Sequence, residues 1–201
     1  MRHNVIVFDF DGTLVDSNAV KTAGFAHAFA DQDACVRAIP ETLASHKALS
    51  RHEIVASLVG QIAGLSAAER LVETRCRTEE YSAWVESRII EKSTVSPAGA
   101  LLWQWQAHAT LYVCSLTPRE YLERVIERTG WLPCFRAVEG YPLVKREILI
   151  RTADRHGIGA EDVLMVGDSD DDAAAAAAAG TKFFRIRAIN DLFDLDRYLR
   201  T

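Results

Sequence analysis

The chain is poor in the features that would make it a small disulfide scaffold, a zinc protein or a membrane protein. It has only four cysteines, Cys35, Cys76, Cys114 and Cys134, and they are widely scattered. None forms a CxxC pair, which argues against both a zinc site and a disulfide framework. Cys114 lies inside an apolar run and reads as an inert core thiol. No apolar stretch approaches the length of a bilayer span. The start of the sequence has no basic segment followed by an apolar one, so no targeting signal is read there. A surplus of positive charge is also missing: the net charge is -5. A phosphate backbone needs a basic face, so a nucleic-acid partner is not expected, and neither is a membrane. The expected setting is soluble, reducing and cytoplasmic. What remains, 49% hydrophobic and 25% charged residues in 201 positions, suits an ordinary globular domain, with room for a smaller insertion.

The most informative segment is Val5-Ile6-Val7-Phe8-Asp9-Phe10-Asp11-Gly12-Thr13-Leu14-Val15-Asp16-Ser17. A short apolar run reads as a strand buried on both faces. Asp9 and Asp11 then fall at its carboxyl end, where open α/β sheets bind ligands. Paired carboxylates at the mouth of an apolar strand are costly unless a cation or a proton offsets them.

Other strand-like runs are Leu111 to Cys114, Val163 to Val166 and Phe183 to Ile186, with a weaker one from Phe135 to Val138. Helical patterns separate them. Ser50 and Glu53 form a capping box ahead of the stripe Ile54, Val55, Leu58, Val59 and Ile62. Ser66 and Glu69 form a second, followed by Leu71, Val72, Tyr81, Trp84, Val85 and Ile89 at helical spacing. Thr117, Pro118 and Glu120 mark a third start, with Thr117 as cap and proline at the first helical position. A helix from about Arg146 ends at Gly157, and the alanine run Ala173 to Ala179 is closed by Gly180. Strands alternating with helices imply a mostly parallel sheet covered on both faces. About eighty residues between Val15 and Pro97 show helical periodicity and no strand, far too many for a connecting loop. They read as an inserted helical subdomain.

The acids recur in Gly167-Asp168-Ser169-Asp170-Asp171-Asp172, directly after an apolar run. Together with Asp9 and Asp11 they would suit a hard divalent cation, Mg2+ above all. Asp170 and Asp171 are accounted for equally well by the positive end of the helix that follows; Asp168 is not. Ser115 ends a third strand beside a helix start, a position suited to an anion. Lys145 stands at the next helix start and, taken alone, reads as a surface lysine.

These residues resemble the motifs of the haloacid dehalogenase-like (HAD) superfamily. Asp9 to Ser17 is similar to its first motif, Ser115 to its second, Lys145 to its third, and Gly167-Asp168-Ser169 with Asp172 to its fourth. The resemblance covers roughly residues 1–17 and 97–190, and its motifs count because each stands in the right structural context. It implies an α/β fold with a Rossmann-like parallel sheet core, 1–16 and 97–201, and an inserted α-helical cap, 17–96. It implies Asp9 as nucleophile, forming an aspartyl-phosphate, and Asp11 as acid and then base. Ser115 and Lys145 would hold the phosphoryl group, beside Gly12, Thr13 and Leu116. Mg2+ would be bound by Asp9, the Asp11 carbonyl and Asp168, with Asp172 a helper that orients Lys145.

Within the family, the carbon–halogen members lack a carboxylate at the position of Asp11, so phosphoryl transfer is favoured. Leu116 and Arg146 depart from the asparagine and proline common in related phosphatases, which leaves the substrate open. In the cap, Arg51 or Lys47 could bind an anionic or sugar group, although the same stretch also reads as a solvated helix start. The expected protein is a Mg2+-dependent phosphatase of a small phosphorylated metabolite, a monomer or weak dimer. A phosphomutase and a non-catalytic binding protein are the alternatives.

Overall fold

The computed structural model describes residues 3–45 and 50–201. Its sheet is built from β1 (Val5–Phe8), β2 (Thr110–Pro118), β3 (Phe135–Tyr141), β4 (Val163–Gly167) and β5 (Lys182–Arg185), all parallel, in the order β3-β2-β1-β4-β5. The helices are α1 (Asn18–Ala28), α2 (Asp33–Ser45), α3 (Arg51–Val59), α4 (Ala67–Ser93), α5 (Ala98–Trp105), α6 (Arg119–Arg128), α7 (Lys145–His156), α8 (Asp170–Ala179) and α9 (Asp191–Arg200). Among the described residues no helix is long and apolar enough to cross a membrane.

The chain divides into two compact units, Met1–Ser17 with Ile89–Thr201, and Asn18–Arg88. The sheet lies in the first, the core unit. β1 is central, and its four apolar residues are all buried because both faces are covered. Burial of such side chains contributes about 1.5–3 kcal/mol each. The strand pleat sends Val5 and Val7 to one side, where they pack with Tyr112, Cys114, Val163 and Met165 against Ile148, Leu149 and Ala153 of α7 and Ala176 of α8. Phe8 points the other way and stacks on Trp105 of α5, at 5.5 Å between ring centroids. The seven alanines of α8 are small enough for close seating on the sheet. Gly180, at φ 77, closes that helix in the left-handed conformation.

The chain leaves β1 for β2 and β3 on one side, then crosses to β4 and β5 on the other. The order therefore reverses at β1. Open α/β sheets bind their ligands at such a reversal, here beyond the carboxyl ends of β1, β2 and β4. Phe8 stands opposite both Val113 and Val166, so the residues that follow those positions meet at one end of the sheet.

The second unit is helical. Both capping boxes form as the sequence indicates: Ser50 with Glu53, and Ser66 with Glu69. Arg70 donates to the carbonyls of Val59, Gly60, Ile62 and Leu65 and ties down the turn between α3 and α4. The apolar stripe of α4 differs from the expected one. Leu71 and Val72 are 75% and 54% exposed, because the buried face runs through Thr74, Tyr81, Val85 and Ile89 and turns those two outward. Lys47 lies outside the described residues. α1 packs closely on α4 at Gly24, where an added Cβ would come 2.4 Å from Val85 Cγ2 and 2.9 Å from Tyr81 Cε2. Alanine in a helix interior gains roughly 1 kcal/mol over glycine, but overpacking costs typically 1–3 kcal/mol or more. Gly24→Ala should therefore lower the urea midpoint of unfolding; an unchanged or raised midpoint would contradict this packing.

Candidate active site

This end of the sheet collects acids from two strand tips and from the start of α8, with a cation from the start of α7. Asp9 continues β1 by one residue, its N–H donating to Val166 O at 2.8 Å, and it is buried. A tight turn follows: Gly12 N–H donates to Val15 O at 2.8 Å, and Leu14 N–H to Phe10 O at 3.0 Å. Gly12 has φ 79, a conformation that glycine adopts without steric cost. Thr13 is fully buried in this turn, and its hydroxyl lies 3.5 Å from Asp9 Oδ2.

Lys145 is buried, although taken alone in the sequence it reads as a surface residue. Its ammonium donates to Asp9 Oδ1 at 2.6 Å and to Asp172 Oδ1 at 2.5 Å. Asp172 is completely buried, and its other oxygen accepts from the N–H of Ser169 at 3.1 Å and from the Ser169 hydroxyl at 2.6 Å. Ser169 in turn caps α8 by accepting from Asp172 N–H. This is a capping box with aspartate as its third residue, readable from the Ser-x-x-Asp spacing but not expected from it. The carboxylate comes so near β4 that a Cβ on Gly167 would lie 2.5 Å from Asp172 Cγ. Asp172 is thus held by Ser169 on one oxygen and bonded to Lys145 on the other.

Asp168 follows Gly167 and is half-buried. One carboxylate oxygen from each of Asp9, Asp168 and Asp172 lies within 4.8 Å of the other two. Opposite ligands of an octahedral Mg2+ are about 4.1 Å apart, since each bond is about 2.0–2.1 Å, so hard oxygen donors at this spacing suit such an ion. Asp11 does not belong to this carboxylate group; the expectation for it concerned its carbonyl. Asp170 and Asp171 are exposed, and Asp170 pairs with Arg185 at 2.8 Å. Arg185 also donates to the Asp168 carbonyl at 2.8 Å, a support from β5 that the sequence does not announce.

The Asp11 side chain is held by hydroxyls. Ser17 donates to Oδ1 at 2.6 Å and Thr117 to Oδ2 at 3.0 Å, with Ser115 at 3.5 Å from the same oxygen. Ser115 is buried and accepts from Thr117 N–H at 3.1 Å. The reading of Thr117 as a helix cap is corrected. β2 runs on to Pro118, which occupies the cap position of α6 with no side-chain hydrogen bond, so the helix starts at Arg119. The Thr117 hydroxyl points to Asp11 instead. Leu116 between them is 58% exposed. Arg51 belongs to the helical unit, where its guanidinium donates to Ser82 at 3.3 Å.

Burial pushes the Asp9 carboxyl up to about 7; Asp172 and Asp11 push the same way, and Lys145 opposes them. For Lys145, burial favours the neutral amine, but the charges of Asp9 and Asp172 outweigh it and hold its pKa above the ordinary lysine value. Burial raises the Cys114 thiol far beyond its usual range, in keeping with an inert core residue.

A haloacid dehalogenase-like hydrolase family model matches residues 3–180, and the chain belongs to that family. No curated protein sequence matches it. Among solved structures it is similar to the HAD-hydrolase YfnB of Bacillus subtilis, described as bound to magnesium, with TM-score 0.72 and 18% identity over 97% of this chain and 99% of that one. It is similar to a predicted phosphoglycolate phosphatase of Haemophilus somnus 129pt, with TM-score 0.70 and 16% identity over 98% and 99%. A Thermotoga maritima protein assigned as a β-phosphoglucomutase gives TM-score 0.68 and 16% identity over 90% and 84%. At such identities the likeness shows a shared fold.

Two expectations follow for the metal-free protein. Lys145→Met leaves Asp9 and Asp172 buried without their cation and should cost about 3–5 kcal/mol in urea denaturation with a chelator present. For Asp9, the folded pKa of about 7 stands above the ordinary 3.8, so the fold favours the neutral acid. Its ionisation should cost stability progressively as pH rises from about 4 to about 7. Asp9→Asn removes that cost. The stability difference between Asp9→Asn and wild type should therefore widen over that window and level off above it; a flat difference would show that Asp9 ionises normally.

Proposed function

We propose that this HAD-family hydrolase is a Mg2+-dependent phosphatase acting on a small phosphorylated metabolite through an aspartyl-phosphate. The observation that carries the reading is the setting of Asp9. It is a buried carboxylate at a strand tip, bonded on one side to Lys145 and grouped on the other with Asp168. A carboxylate cannot readily approach a phosphate dianion unless positive charge screens both. Lys145 supplies one such charge. Asp9, Asp168 and the Asp11 carbonyl would hold Mg2+, which when bound neutralises phosphate charge and polarises the phosphoryl oxygens.

In the first step an Asp9 carboxylate oxygen attacks phosphorus and the bond from phosphorus to the leaving oxygen breaks. Asp11 gives its proton to that oxygen, and the alcohol departs. In the second step Asp11 takes a proton from water. The water oxygen attacks phosphorus, phosphate leaves and the Asp9 carboxylate is restored. Ser115 and Lys145 hold the phosphoryl oxygens through both steps. Asp11 also separates this reading from carbon–halogen chemistry, which needs no acid to protonate a departing halide.

Purified protein screened against a panel of phosphorylated metabolites should release phosphate with Mg2+ and not with a chelator. Asp9→Asn should reduce that release below detection while the protein remains folded by circular dichroism. Mg2+-dependent turnover surviving in Asp9→Asn would remove Asp9 as nucleophile. Isomerised sugar phosphate in place of free phosphate would favour a phosphomutase.

A further inference from the structure

We propose that Thr117 is a positioning residue for Asp11: its hydroxyl fixes the carboxyl group that protonates the leaving oxygen. The inference rests on the phosphatase reading above and deepens it. Three observations support it. The first is the contact, 3.0 Å from Thr117 Oγ1 to Asp11 Oδ2, with Thr117 only 9% exposed. With Ser17 on Oδ1 at 2.6 Å, both carboxyl oxygens are held, which restrains the tilt of the group and its rotation.

The second is the backbone that aims Thr117. Cys114 pairs with Glu139 and Pro118 with Tyr141, so Ser115, Leu116 and Thr117 of β2 stand against Gly140 alone on β3. Extra residues on one strand break the ladder and re-aim side chains, a device common beside active sites. Here Ser115 and Thr117 both turn inward, and Leu116 turns outward. The third is Gly140, where a Cβ would come 2.5 Å from Thr117 O and 2.8 Å from Arg119 Cα. Both of those are backbone atoms, so the absence of a side chain there lets the bulge lie against β3. Thr117 also gives no cap to α6, although it is placed just before it. Its hydroxyl serves Asp11 at the expense of the helix.

The consequence concerns the leaving group. Proton donation matters most when the departing oxygen is basic and little when it is a stable anion. The probes are phenyl phosphate and p-nitrophenyl phosphate, which differ in leaving-group basicity at nearly equal shape, with kcat/KM reporting the first, phosphorylating step. Thr117→Val keeps the shape and removes the hydroxyl. It should lower kcat/KM for phenyl phosphate by about tenfold or more and for p-nitrophenyl phosphate by less than about threefold. Thr117→Ser should restore the phenyl phosphate rate. An equal loss on both esters would make Thr117 a phosphate contact or a structural support and overturn the proposal, as would no loss on either. Should Thr117→Val fail to fold, Thr117→Ala carries the same comparison. Asp11→Asn is measured alongside. If it lacks the same selectivity for phenyl phosphate, Asp11 is not the acid and the phosphatase mechanism itself fails, which is a separate outcome from a failure of Thr117 alone.

Discussion

One buried ammonium makes this site possible. Asp9 and Asp172 lie in the core unit with almost no access to water, and Lys145 binds both. Unpaired, each buried carboxylate would cost several kcal/mol. The placement of Lys145 runs against local preference. It is the first residue of α7, where the helix dipole favours anions, and the cap residue Val144 contributes no side-chain bond. A cation at a helix start is explained by what it faces across the sheet. Lys145 couples α7 to the tips of β1 and α8, so site geometry and core stability share one interaction.

Two glycines let side chains come where they are needed. Gly167 leaves room for Asp172 against β4, and Gly140 leaves room for the bulge that turns Thr117 inward. In both places the local element gives something up: glycine at the end of β4 has no side chain to pack, and a bulge gives up ladder hydrogen bonds. Such concessions cluster where several levels of structure would otherwise agree, which is the usual signature of a functional site. Here they converge on two carboxyl groups, Asp172 beside Lys145 and Asp11 beside Thr117.

Much of this was legible in the residues because buried parallel strands write continuous apolar runs. Val5 to Phe8 and Val163 to Val166 were readable for that reason, and so were Asp9 and Asp168 at their ends. Capping boxes at Ser50 and Ser66 were readable because spacing alone defines them. Thr117 was misread because threonine followed by proline carries a helix-start signal, and local spacing does not register a carboxylate brought in from residue 11 by the sheet. Lys145 could not be placed by pattern, since its partners lie 136 and 27 residues away in sequence. Arg185 was overlooked for the same reason: its contact to the Asp168 carbonyl exists only once β4 and β5 pair. Leu71 and Val72 show the converse error, apolar residues assigned inward although the helix turns them to solvent.

The charge balance of the site also bears on the order of binding. Asp9, Asp168 and Asp172 bring three carboxylates within 4.8 Å, and the buried cation among them is Lys145. Arg185 is turned to the Asp168 carbonyl and to Asp170. The rise of the Asp9 carboxyl to about 7 follows from burial and this excess of negative charge together. A phosphate dianion entering such a field would meet net repulsion at the position where phosphorus must come within bonding distance of Asp9. A divalent cation held by Asp9 and Asp168 would offset that excess of negative charge and favour the ionised, nucleophilic form of Asp9 at the same time. On the proposed reading, cation and substrate would therefore be linked through the ionisation of one residue: the charge that favours Asp9 as a nucleophile would also lessen the repulsion of the phosphate, with Lys145 supplying the part that this chain holds itself.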